Sequence, residues 1–101
     1  MDNAKEIAKL NDAYRRQGRV VLTQGVIALD DVLGLLAAVR SFDTFTEDND
    51  PYHEHDFGSL VWKGEKIFWK FSYYDENLKY WEDPLSPKCR RILTIMLASE
   101  Y

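Results

Sequence analysis

A chain of 101 residues with 46% hydrophobic and 30% charged residues can build one modest core, which excludes an intrinsically disordered protein. Seventeen acids against 13 bases give a net charge of −4, so a nucleic-acid binder driven by bulk charge is disfavoured. The one cysteine, Cys89, excludes an internal disulfide framework and fits a reducing compartment.

No apolar run approaches the roughly 20 residues needed to cross a bilayer. The start, Met1 to Glu6, is charged and leads into no apolar stretch of the secretory kind. A cytoplasmic protein with no membrane association is expected.

Residues 3–17 read as a helix. Ile7, Leu10 and Tyr14 recur at helical spacing, Asp2 or Asn3 can cap the first turn, and Gly18 can close the last. Arg19 to Thr23 is short and β-branched, which predicts a strand. Gln24-Gly25 interrupts it before a second extended run, 26–29. Asp30 or Asp31 then caps a helix over about 31–42, with Val32, Leu35, Leu36, Val39 and Phe42 on its buried stripe.

The pattern breaks from Asp43 to Asp56. Fourteen residues hold six acids and no Lys or Arg, with Pro51 in the middle, so this is a loop. The remainder of the chain is therefore slightly basic. Phe42 and Phe45 are expected to pin the loop's first end to the core.

Residues 57–62 and 66–74 predict a hairpin around Lys63-Gly64-Glu65. Ile67, Trp69, Phe71 and Tyr73 share the face expected to meet the helices. Phe68, Lys70, Ser72 and Tyr74 share a face expected to be partly covered. A polar connection, 75–86, carries Tyr80 and Trp81. Ser86-Pro87 then reads as the start of a last helix, with Cys89, Ile92, Leu93, Met96 and Leu97 on its buried side. The predicted order is α-β-α-β-β-α in a single α+β domain, 1–101. A small antiparallel sheet centred on the 57–74 hairpin packs against three helices, mainly on one face.

Several strings form a recognisable set in this order. They are Asn11-Asp12-Ala13-Tyr14-Arg15, Gly18-Arg19-Val20-Val21-Leu22-Thr23, Val39-Arg40-Ser41-Phe42-Asp43, Asn49-Asp50-Pro51, Glu54-His55-Asp56-Phe57-Gly58, Phe68-Trp69-Lys70, Tyr73-Tyr74-Asp75 and Leu93-Thr94-Ile95-Met96-Leu97. Together they resemble the bacterial family called domain of unknown function 3768, from about Leu10 to Tyr101. The resemblance implies a bacterial protein of a kind often carried on plasmids or other mobile elements. It implies no particular activity. His53 and Ser72 depart from the family's pattern, which has a glycine and an acid there.

Three constellations carry chemistry. Carboxylates beside imidazoles in residues 47–56 are metal-ligand types, and Asp50, His55 and Asp56 are the ligand candidates. The spacing matches no strong metal signature, and a solvated acidic loop is the ordinary reading. His55 beside Glu54 and Asp56 is also a candidate general base. Cys89 is a candidate nucleophile, because a helix first turn and flanking Lys88 and Arg90 would lower a thiol pKa. In register with Ile92 and Met96, it has a small buried core residue as its ordinary reading. The third constellation is a partner surface of Asp48, Asp50, Glu54, Tyr74, Asp75, Tyr80 and Trp81, where acids interleave with aromatics.

Lys5, Lys9, Arg15, Arg16 and Arg19 would join Lys88, Arg90 and Arg91 in a modest basic patch if the first and last helices were neighbours. A solvated helix face is the ordinary reading. On balance the residues favour a non-enzymatic, protein-binding accessory or modulator without a cofactor, its partner a protein and a basic one the natural complement. A small metal-dependent enzyme built on His55 and the loop carboxylates is the alternative. An exposed hairpin edge offers a route to a homodimer.

Overall fold

A computed structural model describes residues 3–101. Helix α1 (Asn3–Gln17) already contains Asn3, and Asp2, the other expected cap, lies outside the described residues. Strand β1 (Val20–Leu22) follows, then a short helix α2 (Gln24–Ile27) and helix α3 (Val32–Arg40). Asp31 caps α3 by accepting the Gly34 N–H at 3.1 Å. The loop over 41–56 leads into β2 (Phe57–Trp62) and β3 (Glu65–Tyr74). A second connection leads into β4 (Arg90–Leu97), which ends in a 3₁₀ turn, Ala98–Glu100.

The four strands lie in the order β1-β4-β3-β2. β1 runs parallel to β4, and the other neighbours are antiparallel. The β2–β3 turn is only Lys63-Gly64, both with positive φ (50° and 85°), the two-residue geometry that matches strand twist. Ile67, Trp69 and Phe71 face the helices with Leu93 and Ile95 of β4, and Val26, Leu35 and Val39 close the core above them. Phe42 and Phe45 pack edge-on against Trp69, pinning the loop as the sequence suggests. The α+β class, the hairpin and a sheet with three helices all agree with expectation. No helix among the described residues is long and apolar enough to cross a membrane.

Two elements differ from the sequence reading. The stretch expected as a last helix is the strand β4. Ser86-Pro87 forms only a turn, in which Ser86 Oγ accepts the Lys88 N–H. β4 carries apolar residues on both faces, Leu93 and Ile95 toward the helices and Ile92 and Met96 on the side shared with Phe68. A continuous apolar run of this kind fits helical spacing as readily as strand spacing.

The run 26–29, expected as a strand, contains the end of α2. Val26 is buried and Ile27 exposed, with Leu29 packed on the core three residues beyond Val26. The turn is secured from far along the chain. Glu100 accepts the Gly25 N–H at 3.0 Å and the Thr23 hydroxyl at 2.6 Å, as well as the Leu97 N–H at 2.8 Å. These bonds hold the Glu100 carboxyl below the usual range, the Thr23 hydroxyl contributing most.

Candidate functional site

α1 carries three polar residues on the side that faces the sheet: Asn11, Asp12 and Arg15. Asn11 is fully buried and bonds in three directions. Its Nδ2 donates to the Glu54 carbonyl at 3.0 Å and to the Tyr73 hydroxyl at 2.9 Å. Its Oδ1 accepts from Arg91 Nε at 3.0 Å. Arg91 Nη2 donates in turn to the Pro84 carbonyl at 2.8 Å. One amide thereby ties α1 to β3, β4 and the end of the acidic loop. Burial pushes the Tyr73 phenol up to about 12, opposed by the Asn11 hydrogen bond.

Arg15, 1% exposed, lies one turn further along the helix. Its guanidinium carbon sits 5.4 Å from the Phe45 ring centre and 5.1 Å from that of Trp69. Its Nη1 donates to Asp12 at 3.0 Å and its Nη2 to the Phe42 carbonyl at 2.9 Å. His55 stacks on Phe45 with ring centres 3.7 Å apart, and its Nδ1–H donates to Asp12 at 2.9 Å. Asp50, 2% exposed, accepts the Glu54 and His55 backbone N–H groups through one oxygen. A desolvated ion pair needs this density of partners.

Above this network lies a cavity of about 330 Å³. Ile7, Tyr73, Pro84 and Leu85 line it with Asn3, Glu54 and Asp83, whose Oδ1 accepts the Leu85 N–H at 2.8 Å, and Trp81 stands at the rim, 70% exposed. Burial raises the Glu54 pKa, and the carboxylates of Asp56, Asp50 and Asp83 raise it further. Burial likewise raises Asp56, against a backbone hydrogen bond that lowers it.

Among the residues expected at a partner surface, the structure brings Glu54 and Trp81 to this groove. Asp50 supports the segment carrying Glu54 and does not itself line the groove. Tyr74 bridges to Trp81 across the start of the 75–86 connection. Asp75 is engaged by the Asn77 and Lys79 N–H groups, Tyr80 is exposed, and Asp48 stands exposed in the acidic loop.

Among the metal candidates, Asp50 and His55 are neighbours, with His55 Nε2 3.6 Å from Asp50 Oδ2. No group of three or more His, Cys, Asp or Glu side chains among the described residues is arranged to hold a metal ion. Cys89 precedes a strand and does not lie in a helix first turn. Burial raises its thiol pKa, opposed by Arg91. The expected basic patch also does not form as drawn, because Arg15 and Arg91 turn inward to Asp12 and Asn11.

Sequence reasoning gives no role to Asn11 or Asp12 and places Arg15 only in a basic patch, although that string belongs to the family resemblance. Two buried polar residues and a half-buried aspartate on a helix otherwise read as amphipathic have no local signature, since most of their partners are distant in sequence.

The fold and site define an α+β domain with an acidic, aromatic-rimmed groove. The chain belongs to the family described as protein of unknown function DUF3768, whose profile matches residues 22–100. The match begins in β1, after the helix that carries Asn11, Asp12 and Arg15. No curated protein and no solved structure matches the chain.

Proposed function

We propose that this chain is a non-enzymatic protein-binding domain whose groove receives a lysine or arginine side chain from a basic partner. The observation that carries this reading is the placement of Glu54 and Asp83 on a cavity of mixed polar and apolar lining beside the exposed Trp81. Burial and, after it, neighbouring carboxylates raise Glu54, so a cation entering the groove would relieve repulsion already present. The apolar walls suit the stem of a long basic side chain, and an indole suits its charged head. The family resemblance adds a bacterial setting on mobile elements, in which the partner would be a host or plasmid protein.

Titration with short peptides bearing a single Arg or Lys, read by Trp fluorescence and calorimetry, tests the reading. Binding is expected, with loss of at least about tenfold in affinity for Trp81→Ala and for Glu54→Gln combined with Asp83→Asn. Equal binding of a neutral peptide, or variants that bind as well as the parent, would overturn it.

A further inference from the structure

The helices cover only one face of the sheet, and strand pairing defines what stands on the other. Lys66, Phe68 and Lys70 of β3 lie there. Phe57 of β2 is paired with Lys70, and Arg90 of β4 is paired with Tyr74. No paired position on this face holds an Asp or Glu. The protein is acidic as a whole, yet the charged strand residues on this otherwise apolar and neutral face are all basic.

The cations are set among aromatic rings. Tyr101 folds back over the face and meets Phe57 and Phe68 edge-on, with ring centres 6.3 and 5.6 Å away. Lys70 Nζ lies 5.4 Å from the Tyr101 ring centre, and Lys66 Nζ lies 5.5 Å from that of Phe68. Tyr101 is 74% exposed, so its ring is accessible. The acid next to Tyr101, Glu100, is turned to the Thr23 hydroxyl and to the Gly25 and Leu97 N–H groups. Lys66 and Lys70 stand about 13 Å apart along β3, and Arg90 continues the row beside Tyr74.

We propose that this open face binds single-stranded nucleic acid. The phosphates lie along Lys66, Lys70 and Arg90, and bases stack on Tyr101 and the exposed parts of Phe68 and Phe57. Charge complementarity calls for a polyanion, and the rings select among polyanions. A duplex keeps its bases inside and an acidic peptide has no use for the rings, whereas a single strand offers both phosphates and open base faces. The net charge of −4 does not oppose this, because screening limits its reach to about 8–10 Å at ordinary salt. None of these residues lines the groove, so either proposal can fail without the other.

The test is fluorescence anisotropy of labelled oligo-dT and oligo-U of about 12 nucleotides with the whole chain. Binding is expected at about 50 mM salt, weakening with a log–log slope of about −2 for three phosphate contacts. Lys66→Glu with Lys70→Glu should weaken it by more than about tenfold, and Tyr101→Ala by about tenfold. The control Lys5→Glu with Lys9→Glu, the same charge change on exposed positions of α1, should change it less than about threefold. Tyr101 lies outside the helices and strands, so its variant separates loss of binding from loss of fold. Absence of binding, loss equal to that of the α1 control, or equal affinity for duplex, polyglutamate or anionic vesicles would overturn the proposal.

Discussion

Arg15 and His55 share one acceptor, the same oxygen of Asp12, at 3.0 Å from Arg15 Nη1 and 2.9 Å from His55 Nδ1. They also stack on the same ring, Phe45. The acidic loop is thereby locked to α1 through a closed circuit, and Asp12 is the member on which both side chains depend. Asp12→Ala leaves the Arg15 charge buried with less compensation. It should destabilise the fold by about 3 kcal/mol in urea titrations. Hydrogen exchange should rise first over 43–56, because that loop loses its attachment.

Asn11→Ala tests the second junction. The substitution strands the Arg91 Nε–H and the Glu54 carbonyl, and it leaves the Tyr73 hydroxyl without its donor. A loss of about 2–3 kcal/mol is expected in chemical denaturation. Asn11→Asp should cost less if Arg91 alone matters, and as much if the two amide N–H donors matter. The geometry, with both donors used, favours the larger loss.

These junctions mark the limit of what the sequence makes legible. α1, α3, the hairpin and the loop are readable because each rests on a local pattern: 3.6 spacing, alternation, a positive-φ turn, or an acidic run with Pro51. The two faces of β3 are also correct from alternation alone. β4 is not, because Ile92 and Met96 make its second face apolar as well as the face of Leu93 and Ile95, and no alternation shows. α2 is not, because its support comes from Glu100. Arg15 reads locally as a basic residue suited to a helix end, and its burial depends on Phe42, Phe45 and Trp69. Of the groove, Glu54, Trp81 and Asp83 are visible as acids and an aromatic, but nothing local places them together across the end of α1.

His55 separates a binding domain from a metal enzyme. It does not line the groove, and its ring is engaged by Asp12 and Phe45. His55→Ala should cost about 1–2 kcal/mol through the lost stack and hydrogen bond. Peptide affinity at the groove should be unchanged in calorimetry. Neither EDTA nor added zinc should move the melting temperature of the parent protein. A chelator-sensitive melt would favour the loop as a metal site.

The raised Glu54 has a signed consequence. A carboxyl whose pKa is higher in the folded state disfavours folding when ionised. This penalty is full above the folded pKa, and it vanishes below the unfolded value of 4.5. Glu54→Gln should therefore raise the melting temperature slightly at neutral pH. The difference from the parent should shrink as pH falls from above the folded pKa to below 4.5. A cation in the groove would lower the Glu54 pKa, so peptide binding near the folded pKa should release protons, measurable as a buffer-dependent heat. A melting difference that widens on acidification would contradict the electrostatic description of the groove.

Trp69 is the largest fully buried side chain, and it lies flat against Gly58 on the neighbouring strand. A Cβ at position 58 would come within 2.4 Å of the indole. The indole cannot swing away, because Phe42, Phe45 and Phe71 meet it edge-on and Arg15 lies over it. Gly58→Ala should cost about 1–3 kcal/mol through overpacking, although alanine suits an extended strand better than glycine. Displacing Trp69 would also move Arg15 and so disturb the Asp12 circuit. Gly58→Ala and Asp12→Ala are therefore expected to be non-additive, with the double variant less destabilised than the sum of the single losses. Strict additivity in a double-mutant cycle would show that the indole relaxes without reaching Arg15.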